Sequence, residues 1–497
     1  MATNAATLPL NLYQGAQVRE LDRVAIEDCG IGGEVLMERA GAAAYETIRT
    51  IWPGAKNICV VTGGGNNAGD GYVIARLLNE AGSTVTVNFV VPPDKLRGDA
   101  SQAAEKFIKT RAPVIQYTSG NLQKFDLIID ALLGTGLDRR VEGKMQTVIE
   151  EVNKVNVPVF SIDIPSGLHA DTGQLLGIGV RADATITFIG LKQGLFTGEG
   201  PACTGQIFFN DLQVPDHVYE NIIPSAQRMD IDVQKKLLKK RSRSAHKGNF
   251  GHVLVVGGEK GFTGAVRMAA EAAGRVGAGL VSIATRSQHA ASISVTRPEI
   301  MAHGVENESQ LSVLLDKANV IAIGPGLGQS EWSQMLLSRT LESKLPTVID
   351  ADALNLLAAE PVRKKNWILT PHPGEAARMI DCKSSDIQND RFAAIRKLQE
   401  KYGGVIVLKG SGTLVIDTDQ QIAICSAGNP GMATGGMGDV LTGVIAGLVA
   451  QGFHISDAAR LGVTIHATAA DHAATEGERG MLAMDLMPYL RKLVNDY

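Results

Sequence analysis

Gly428-Asn429-Pro430-Gly431-Met432-Ala433-Thr434-Gly435-Gly436-Met437-Gly438-Asp439 runs straight into the apolar stretch Val440–Ala450. Glycines at 435, 436 and 438 ahead of a helical pattern leave backbone N–H groups free to converge on one point. The helix dipole adds positive potential there, so the segment reads as an anion hole. Asp439, in the first turn, puts a carboxylate beside that hole, where it can serve as a base. A plain helix start does not need so many glycines, which favours a site over simple packing.

Working outward, Lys409-Gly410-Ser411-Gly412-Thr413 follows the apolar run Val405–Leu408 and offers an ammonium, amides and hydroxyls to phosphate oxygens. It is not a Walker A loop, because no G-x-x-x-x-G-K-[ST] sequence exists in the chain. Thr370-Pro371-His372-Pro373-Gly374-Glu375 joins another short strand to a helix, and two prolines stiffen the loop that carries His372. Gly257-Gly258 and Gly324-Pro325-Gly326-Leu327-Gly328 are further backbone-exposing turns, and His246-Lys247-Gly248-Asn249-Phe250-Gly251 opens this half.

These loops punctuate an alternation of strands and helices that recurs in both halves of the chain. In the first half, strands are expected at Asn57–Thr62, Thr84–Val90, Asp126–Ala131, Val157–Asp163 and Ala184–Ile189. Helices are expected at about Gln14–Asp28, Glu34–Thr50, Gly71–Ala81 and Lys144–Val155. The second half gives strands at His252–Val256, Leu280–Ala284, Val320–Ile323, Thr347–Asp350, Trp367–Leu369 and Val405–Leu408. A hairpin follows, Thr413–Asp417 with Ile422–Cys425, and helices at about Gly438–Gln451, Ser456–Thr475 and Ala483–Val494 close the chain. Such alternation predicts an α/β fold built on parallel sheets.

Between Pro215 and Lys247 the rhythm breaks, so two domains are expected, 1–225 and 226–497. The run Lys235, Lys236, Lys239, Lys240, Arg241, Arg243, Lys247 in this segment has no interleaved aromatics. A solvated helix and linker is the preferred reading over a nucleic-acid patch.

Composition supports these limits. The 497 residues are 44% hydrophobic and 20% charged, with a net charge of −4, so no global field draws the protein to nucleic acid or anionic membrane. Glycine is in excess, 55 residues or about 11% against a usual ~7%. Five scattered cysteines without a C-x-x-C pair argue against a disulfide framework or a zinc site. Met1–Pro9 has neither a basic nor an apolar signal-peptide region, and Val440–Ser456 is too short and too polar to span a bilayer. A cytoplasmic protein is expected, with small-molecule partners and self-association left open.

In the first half, Gly63-Gly64-Gly65-Asn66-Asn67-Ala68-Gly69-Asp70-Gly71 follows a strand and opens a helix. Gly63-x-Gly65-x-x-Ala68 fits a Rossmann-like phosphate turn, but Asn88-Phe89-Val90-Val91 stands where a ribose-binding acid belongs. A phosphate-bearing ligand is therefore favoured over a bound redox NAD. Asp130 leads into Gly134-Thr135-Gly136-Leu137, and Asp163 precedes Pro165-Ser166-Gly167. Ligands of open α/β sheets bind outside the carboxyl ends of the strands, so Asn67, Asp130, Asp163 and Ser166 could converge there. Their oxygens suit a hard cation rather than zinc, while each acid taken alone is as often a helix cap.

Asn66–Gly71, Asp130–Gly136 and Asp163–Gly167 resemble the signature of the NAD(P)H-hydrate epimerases over most of residues 1–215, with Ala68 where that family usually has glycine. The methyl group requires a negative φ at that position. By this resemblance, Asn67, Asp130 and Ser166 would hold potassium. Asn66, Asn67, Ala68, Gly69, Asp70, Gly134, Thr135, Gly136, Leu137, Asp138, Arg139, Arg140 and Asp163 would contact the hydrated cofactor, with Asp163 catalytic.

Residues 230–495 resemble the ribokinase-like superfamily, and within it the ADP-dependent NAD(P)H-hydrate dehydratases. That likeness implies ADP at Lys409, Gly410, Ser411, Gly412, Thr413 and Gly438, and the hydrate at Ala265, Gly326, His372 and Asp439, with Asp439 as base and magnesium as charge neutraliser. The implied work is repair of hydrated NADH or NADPH, an isomerase joined to a lyase. The alternatives are a ribokinase-type small-molecule kinase fused to a nucleotide-binding domain, or a nucleotide-sensing scaffold without chemistry.

Overall fold

A computed structural model of the chain describes residues 8–495; residues 1–7, which carry most of the signal-peptide expectation, lie outside the described residues. The chain forms two compact units, Met1–Gln227 and Arg228–Tyr497. No helix among the described residues is long and apolar enough to cross a membrane.

The first unit is built on strands β1 (Asn57–Thr62), β2 (Thr84–Phe89), β3 (Val114–Gln116), β4 (Leu127–Ala131), β5 (Val159–Ile162), β6 (Ala184–Phe188) and β7 (Gln206–Asn210). They lie in the order β3-β2-β1-β4-β5-β6-β7 with every neighbour parallel. Ile58–Val61 and Leu127–Ile129 are fully buried, as expected of parallel strands covered on both faces. The strand order reverses between β1 and β4, which opens a crevice at their carboxyl ends. A small ribbon, Asn11–Tyr13, pairs in parallel with Leu191–Lys192 and antiparallel with Ala226 and Gln227.

The expected strands are present within one or two residues, but β3 and β7 were not foreseen. β3 is a three-residue edge strand, too short to show periodicity. The helix after β1 begins at Asn66, five residues before the expected start. Asn66–Asp70 form its first turns, so the glycine loop is only Gly63–Gly65. Ala68 is helical and fully buried, consistent with the negative φ its methyl group requires.

The second unit repeats the scheme with β8 (His252–Val256), β9 (Leu280–Thr285), β10 (Met301–Gly304), β11 (Val320–Ile323), β12 (Thr347–Ile349), β13 (Trp367–Leu369), β14 (Val405–Leu408), β15 (Thr413–Ile416) and β16 (Ile422–Cys425). Their order is β10-β9-β8-β11-β12-β13-β14-β15-β16, parallel as far as β14 and antiparallel in the last two pairs. The hairpin turn places Gln420 at φ 63°. Its N–H donates to the Asp417 carbonyl. At the start of the basic run stand the short helix Ile231–Gln234 and a 3₁₀ turn, Lys235–Leu237, so the expected solvated helix shrinks to a single turn of each. Runs of adjacent Lys and Arg repel along one helix face.

The helix Met437–Ala450 is buried on nearly every side and packs along Thr263–Arg275. A Cβ on Gly443 would collide with the Ala269 carbonyl, and one on Gly447 would stand 2.6 Å from Val276 Cγ2. Gly443→Val should therefore destabilise this unit by about 1–3 kcal/mol through overpacking. A urea melt monitored by far-UV circular dichroism checks this, and an unchanged midpoint would mean the helices part freely.

Candidate active sites

In the first unit the crevice between β1 and β4 is lined as the motifs promise. A Cβ on Gly63 would strike the Leu132 carbonyl, so glycine lets the two switch-point loops touch. Asp130, at the end of β4, is fully buried, yet its carboxylate is well supplied. Oδ1 accepts from Ser166 Oγ at 2.6 Å and Leu132 N at 3.3 Å. Oδ2 accepts from Ser161 Oγ and Ser166 N, each at 2.9 Å. Burial pushes this carboxyl up from its ordinary range, and the Ser166 and Ser161 donors pull against that. Asp130 is thus a junction between strands β4 and β5, and it caps no helix.

Asn67 is brought to the same place. Its Nδ2 donates to the Leu133 carbonyl at 2.9 Å, while its buried Oδ1 has no hydrogen-bond partner among the described residues. Ser166 Oγ accepts from Leu133 N at 2.9 Å, and the Gly134 Cα lies against Asn67, where a Cβ would stand 3.3 Å from Asn67 Cβ. Asn67 Oδ1, the Asp130 carboxylate, Ser166 Oγ and the Leu133 carbonyl therefore gather as an all-oxygen set. Asp138, Arg139 and Arg140 are exposed at the far end of the Gly134 loop.

Asp163 follows β5 with φ 66°, a left-handed conformation that a non-glycine residue rarely adopts. Strain of this kind persists where surrounding structure enforces it. Here the enforcement is the Lys192 ammonium, paired with Asp163 Oδ1 and almost wholly buried. Lys192 also donates to Thr187 Oγ1 at 3.0 Å and the Phe188 carbonyl at 3.1 Å. Asp70, beside this pair, has its carboxyl pushed well up by burial and by the charge of Asp163. The sequence reading missed Lys192, which stands alone in an apolar stretch; a lysine amid Leu191 and Gly194-Leu195-Phe196 was the available signal.

The second site lies at the carboxyl ends of β11 to β14. Gly436, at φ 91°, caps the helix Met437–Ala450, and Gly438 lies in its first turn. A Cβ on Gly438 would stand 3.3 Å from Lys409 Nζ and 3.4 Å from Asp350 Oδ2. The ammonium thus sits at the mouth of the glycine-rich turn. Lys409 Nζ donates to Asp350 Oδ1 at 2.6 Å, and Glu375 Oε2 is 3.8 Å away. Asp350 is buried and also accepts from Thr442 Oγ1 at 2.9 Å. Burial alone would lower the Lys409 ammonium, but Asp350 and Glu375 outweigh it and hold it charged. Asp439 feels the reverse: burial first, then the neighbouring Asp350 charge, push its carboxyl up to about 7.

Around this centre stand the other expected residues. His372 Nδ1 caps its own helix by accepting from Gly374 N and Glu375 N, while Nε2 faces Glu375 Oε1 at 3.3 Å. Gly326, at φ 55°, brings its loop against Ala265, where a Cβ would come 3.1 Å from Ala265 Cβ. Asp350, which orders Lys409, was missed, although it ends a strand run as Asp130 and Asp163 do.

So was Arg391, buried to 1% exposure beneath the Lys409–Thr413 loop. Its Nη2 donates to the carbonyls of Leu408 at 3.0 Å, Lys409 at 3.3 Å and Gly412 at 3.4 Å. Gly410, at φ 136°, has no side chain to block it, since a Cβ would stand 2.9 Å from Arg391 Nη1.

Two doubly wound units, each with a polar site at the carboxyl ends of its parallel strands, define a nucleotide-handling α/β enzyme whose second half is ribokinase-like. The family model described as NAD(P)H-hydrate dehydratase matches residues 253–492, and that described as YjeF-related protein N-terminus matches residues 33–194. The bifunctional NAD(P)H-hydrate repair enzyme of Coxiella burnetii is 49% identical over 97% of this chain and 99% of its own length. That of Escherichia coli is 41% identical over 100% of this chain and 96% of its own. Among solved structures, an ADP/ATP-dependent NAD(P)H-hydrate dehydratase from Bacillus subtilis, co-crystallised with ATP and Mg2+, is 29% identical with a TM-score of 0.50. It covers 54% of this chain and 97% of its own. The chain belongs to the bifunctional NAD(P)H-hydrate repair enzymes, an epimerase and a dehydratase in one polypeptide. Neither the kinase nor the scaffold alternative survives that match.

Arg391→Met would leave three loop carbonyls without their buried donor. The expected cost is about 3 kcal/mol, read as a lower urea midpoint, with a midpoint unchanged by the substitution arguing that the loop holds itself.

Proposed function

We propose that the second unit uses ADP to make a poor leaving group a good one. Hydroxide leaves a carbon centre reluctantly, whereas a phosphate ester leaves readily. Asp439 takes the proton of the substrate hydroxyl, the β-phosphoryl of ADP passes to that oxygen, and AMP is released. The C–O bond then breaks, phosphate departs, and loss of a neighbouring ring proton restores NADH or NADPH. Amides of Gly435–Gly438 and the Lys409 ammonium face the charge that develops on the phosphoryl group. The observation that carries this reading is geometric: Asp439 lies in the first turn of the helix capped by Gly436, next to Gly438, where a Cβ would stand 3.3 Å from Lys409 Nζ, and burial raises its carboxyl. Among the described residues no cluster of three acidic, His or Cys side chains could hold a metal by itself, so magnesium would enter on the nucleotide phosphates and supply charge neutralisation there. The Lys409–Thr413 loop would take ADP, and Ala265, Gly326 and His372 the S hydrate.

The first unit interconverts the R and S hydrates, so that the stereospecific second site can consume both. The crevice of Asn66–Asp70 and Gly134–Arg140 would hold the cofactor, with Asp163 at the reacting ring. A buried, unpartnered Asn67 Oδ1 among acceptors fits a monovalent cation, and Asn67, Asp130 and Ser166 would hold potassium. Bound there, it would neutralise the buried carboxylate and brace the Gly134 loop. We assign the epimerase to residues 1–225 and the dehydratase to residues 226–497.

A base must be ionised to work, so dehydration should rise with pH up to about 7 and level off above it. Asp439→Asn keeps the size and removes the basicity. Recovery of reduced-nicotinamide absorbance from hydrate, ADP and magnesium should fall about 10²–10⁴-fold, with epimer interconversion unchanged by chromatography. A variant within a few-fold of wild type would move the base elsewhere. Replacing potassium by a bulky organic cation should slow epimerisation and leave dehydration of the S hydrate alone; equal epimerisation rates in both salts would make Asn67, Asp130 and Ser166 purely structural.

A further inference from the structure

Asp22 lies on the helix Gly15–Arg23, ahead of the segment matched by either family model. The buried face of that helix, Val18 and Leu21, packs on Gly190. A Cβ on Gly190 would stand 3.1 Å from Leu21 Cδ1 and 3.2 Å from Val18 Cγ2, so the absent side chain lets the helix settle there. Two residues further on is Lys192, and the strand pairing of Leu12 and Tyr13 with Leu191 and Lys192 locks the register. The result brings Asp22 within electrostatic reach of the Asp163–Lys192 pair, with Asp70 and Arg19 as its other charged neighbours.

These carboxylates differ in how they are held. Asp163 is bound to the Lys192 ammonium and also accepts from Thr187 Oγ1 at 3.3 Å. Lys192 directs its bonds to Asp163, Thr187 and Phe188, which commits all three of its N–H groups. Asp22 is half-buried, and its carboxylate receives no hydrogen bond among the described residues. Burial is the main cause of its carboxyl being pushed up to about 6. An ion-paired carboxylate near a second carboxyl that burial raises is an arrangement suited to acid and base roles.

We propose that Asp22 is the proton donor of the epimerase site, with Asp163 as its partner base and counter-charge, and that the epimers exchange by loss and return of water at the hydroxyl carbon. The assignment rests on the first unit being the epimerase. In the hydrate, the hydroxyl-bearing carbon C6 is bonded to the ring nitrogen N1. Asp22 gives its proton to the hydroxyl, the C6–O bond breaks, and water leaves. The N1 lone pair forms an N1=C6 double bond, which makes the ring cationic as it faces the Asp163 carboxylate. Water then adds to the opposite face of C6, the double-bond pair returns to N1, and the surplus proton of that water passes to Asp163. Transfer of that proton from Asp163 to Asp22 through solvent restores the starting state. No electrons are gained or lost.

The full-length enzyme tests this without ADP, so that dehydration is silent. In water enriched in ¹⁸O, wild type should place ¹⁸O in the hydroxyl group of every inverted molecule, read by mass spectrometry of the separated epimers. Inversion with the original oxygen retained would overturn the proposal, because ring opening at the C6–N1 bond would then be the route. Asp22→Asn should slow interconversion about 10²–10⁴-fold while the dehydratase of the same chain works normally. A rate within three-fold of wild type would remove Asp22 from the chemistry. Absence of catalysed interconversion in wild type would instead overturn the epimerase assignment of the first unit.

Discussion

Both units depend on one steric constraint, which is that the loops leaving the strands on either side of a switch point must cross closer than a side chain permits. Gly63 meets the Leu132 carbonyl in the first unit, and Gly257 meets the Pro325 carbonyl in the second. The strand order reverses at each of these places, β1 against β4 and β8 against β11. Closing the loops over one another leaves backbone polar groups directed into the crevice, where a phosphate-bearing ligand can reach them. The glycine excess is the compositional trace of that crossing.

Each site then adds a buried ammonium between carboxylates, with different consequences. Lys192 spends all its donors locally and serves a single strained aspartate. Lys409 lies among Asp350, Glu375 and Asp439, so its charge is shared and Asp439 keeps a raised carboxyl. The first arrangement suits a reaction that develops positive charge on a ring, the second one that moves a phosphoryl group. Chemistry on the same fold is divided by where the surplus negative charge is left.

Much of this was legible in the chain. The Gly428–Asp439 run, the Asn66–Gly71 turn and the strand-end acids Asp130 and Asp163 are local patterns, and local patterns survive without a structure. Most strands were placed within two residues because buried parallel strands are short apolar runs between glycine-rich turns. The edge strand Val114–Gln116 escapes detection because three residues, two of them exposed, carry no period. The helix starts at Asn66 and not after the glycines, because the small size of Gly69 and Gly71 lets its first turns press against Met37 and Ala131.

The sequence by itself determined the α/β class, the two halves, the glycine-rich turns and the strand-end carboxylates, since each rests on neighbours along the chain. Only the tertiary structure decided what those carboxylates face. Lys409 meets Asp350 across 59 residues, Asp163 meets Lys192 across 29, and Asp130 meets Ser166 across 36. Asp22 reaches its neighbours only because the first helix packs on Gly190. Parallel strands are joined by crossovers of a dozen residues or more, so groups that share a sheet edge are separated in sequence by whole helices. Burial, which shifts the carboxyls of Asp22, Asp70 and Asp439, is likewise a property of the packed units and has no counterpart in the order of residues.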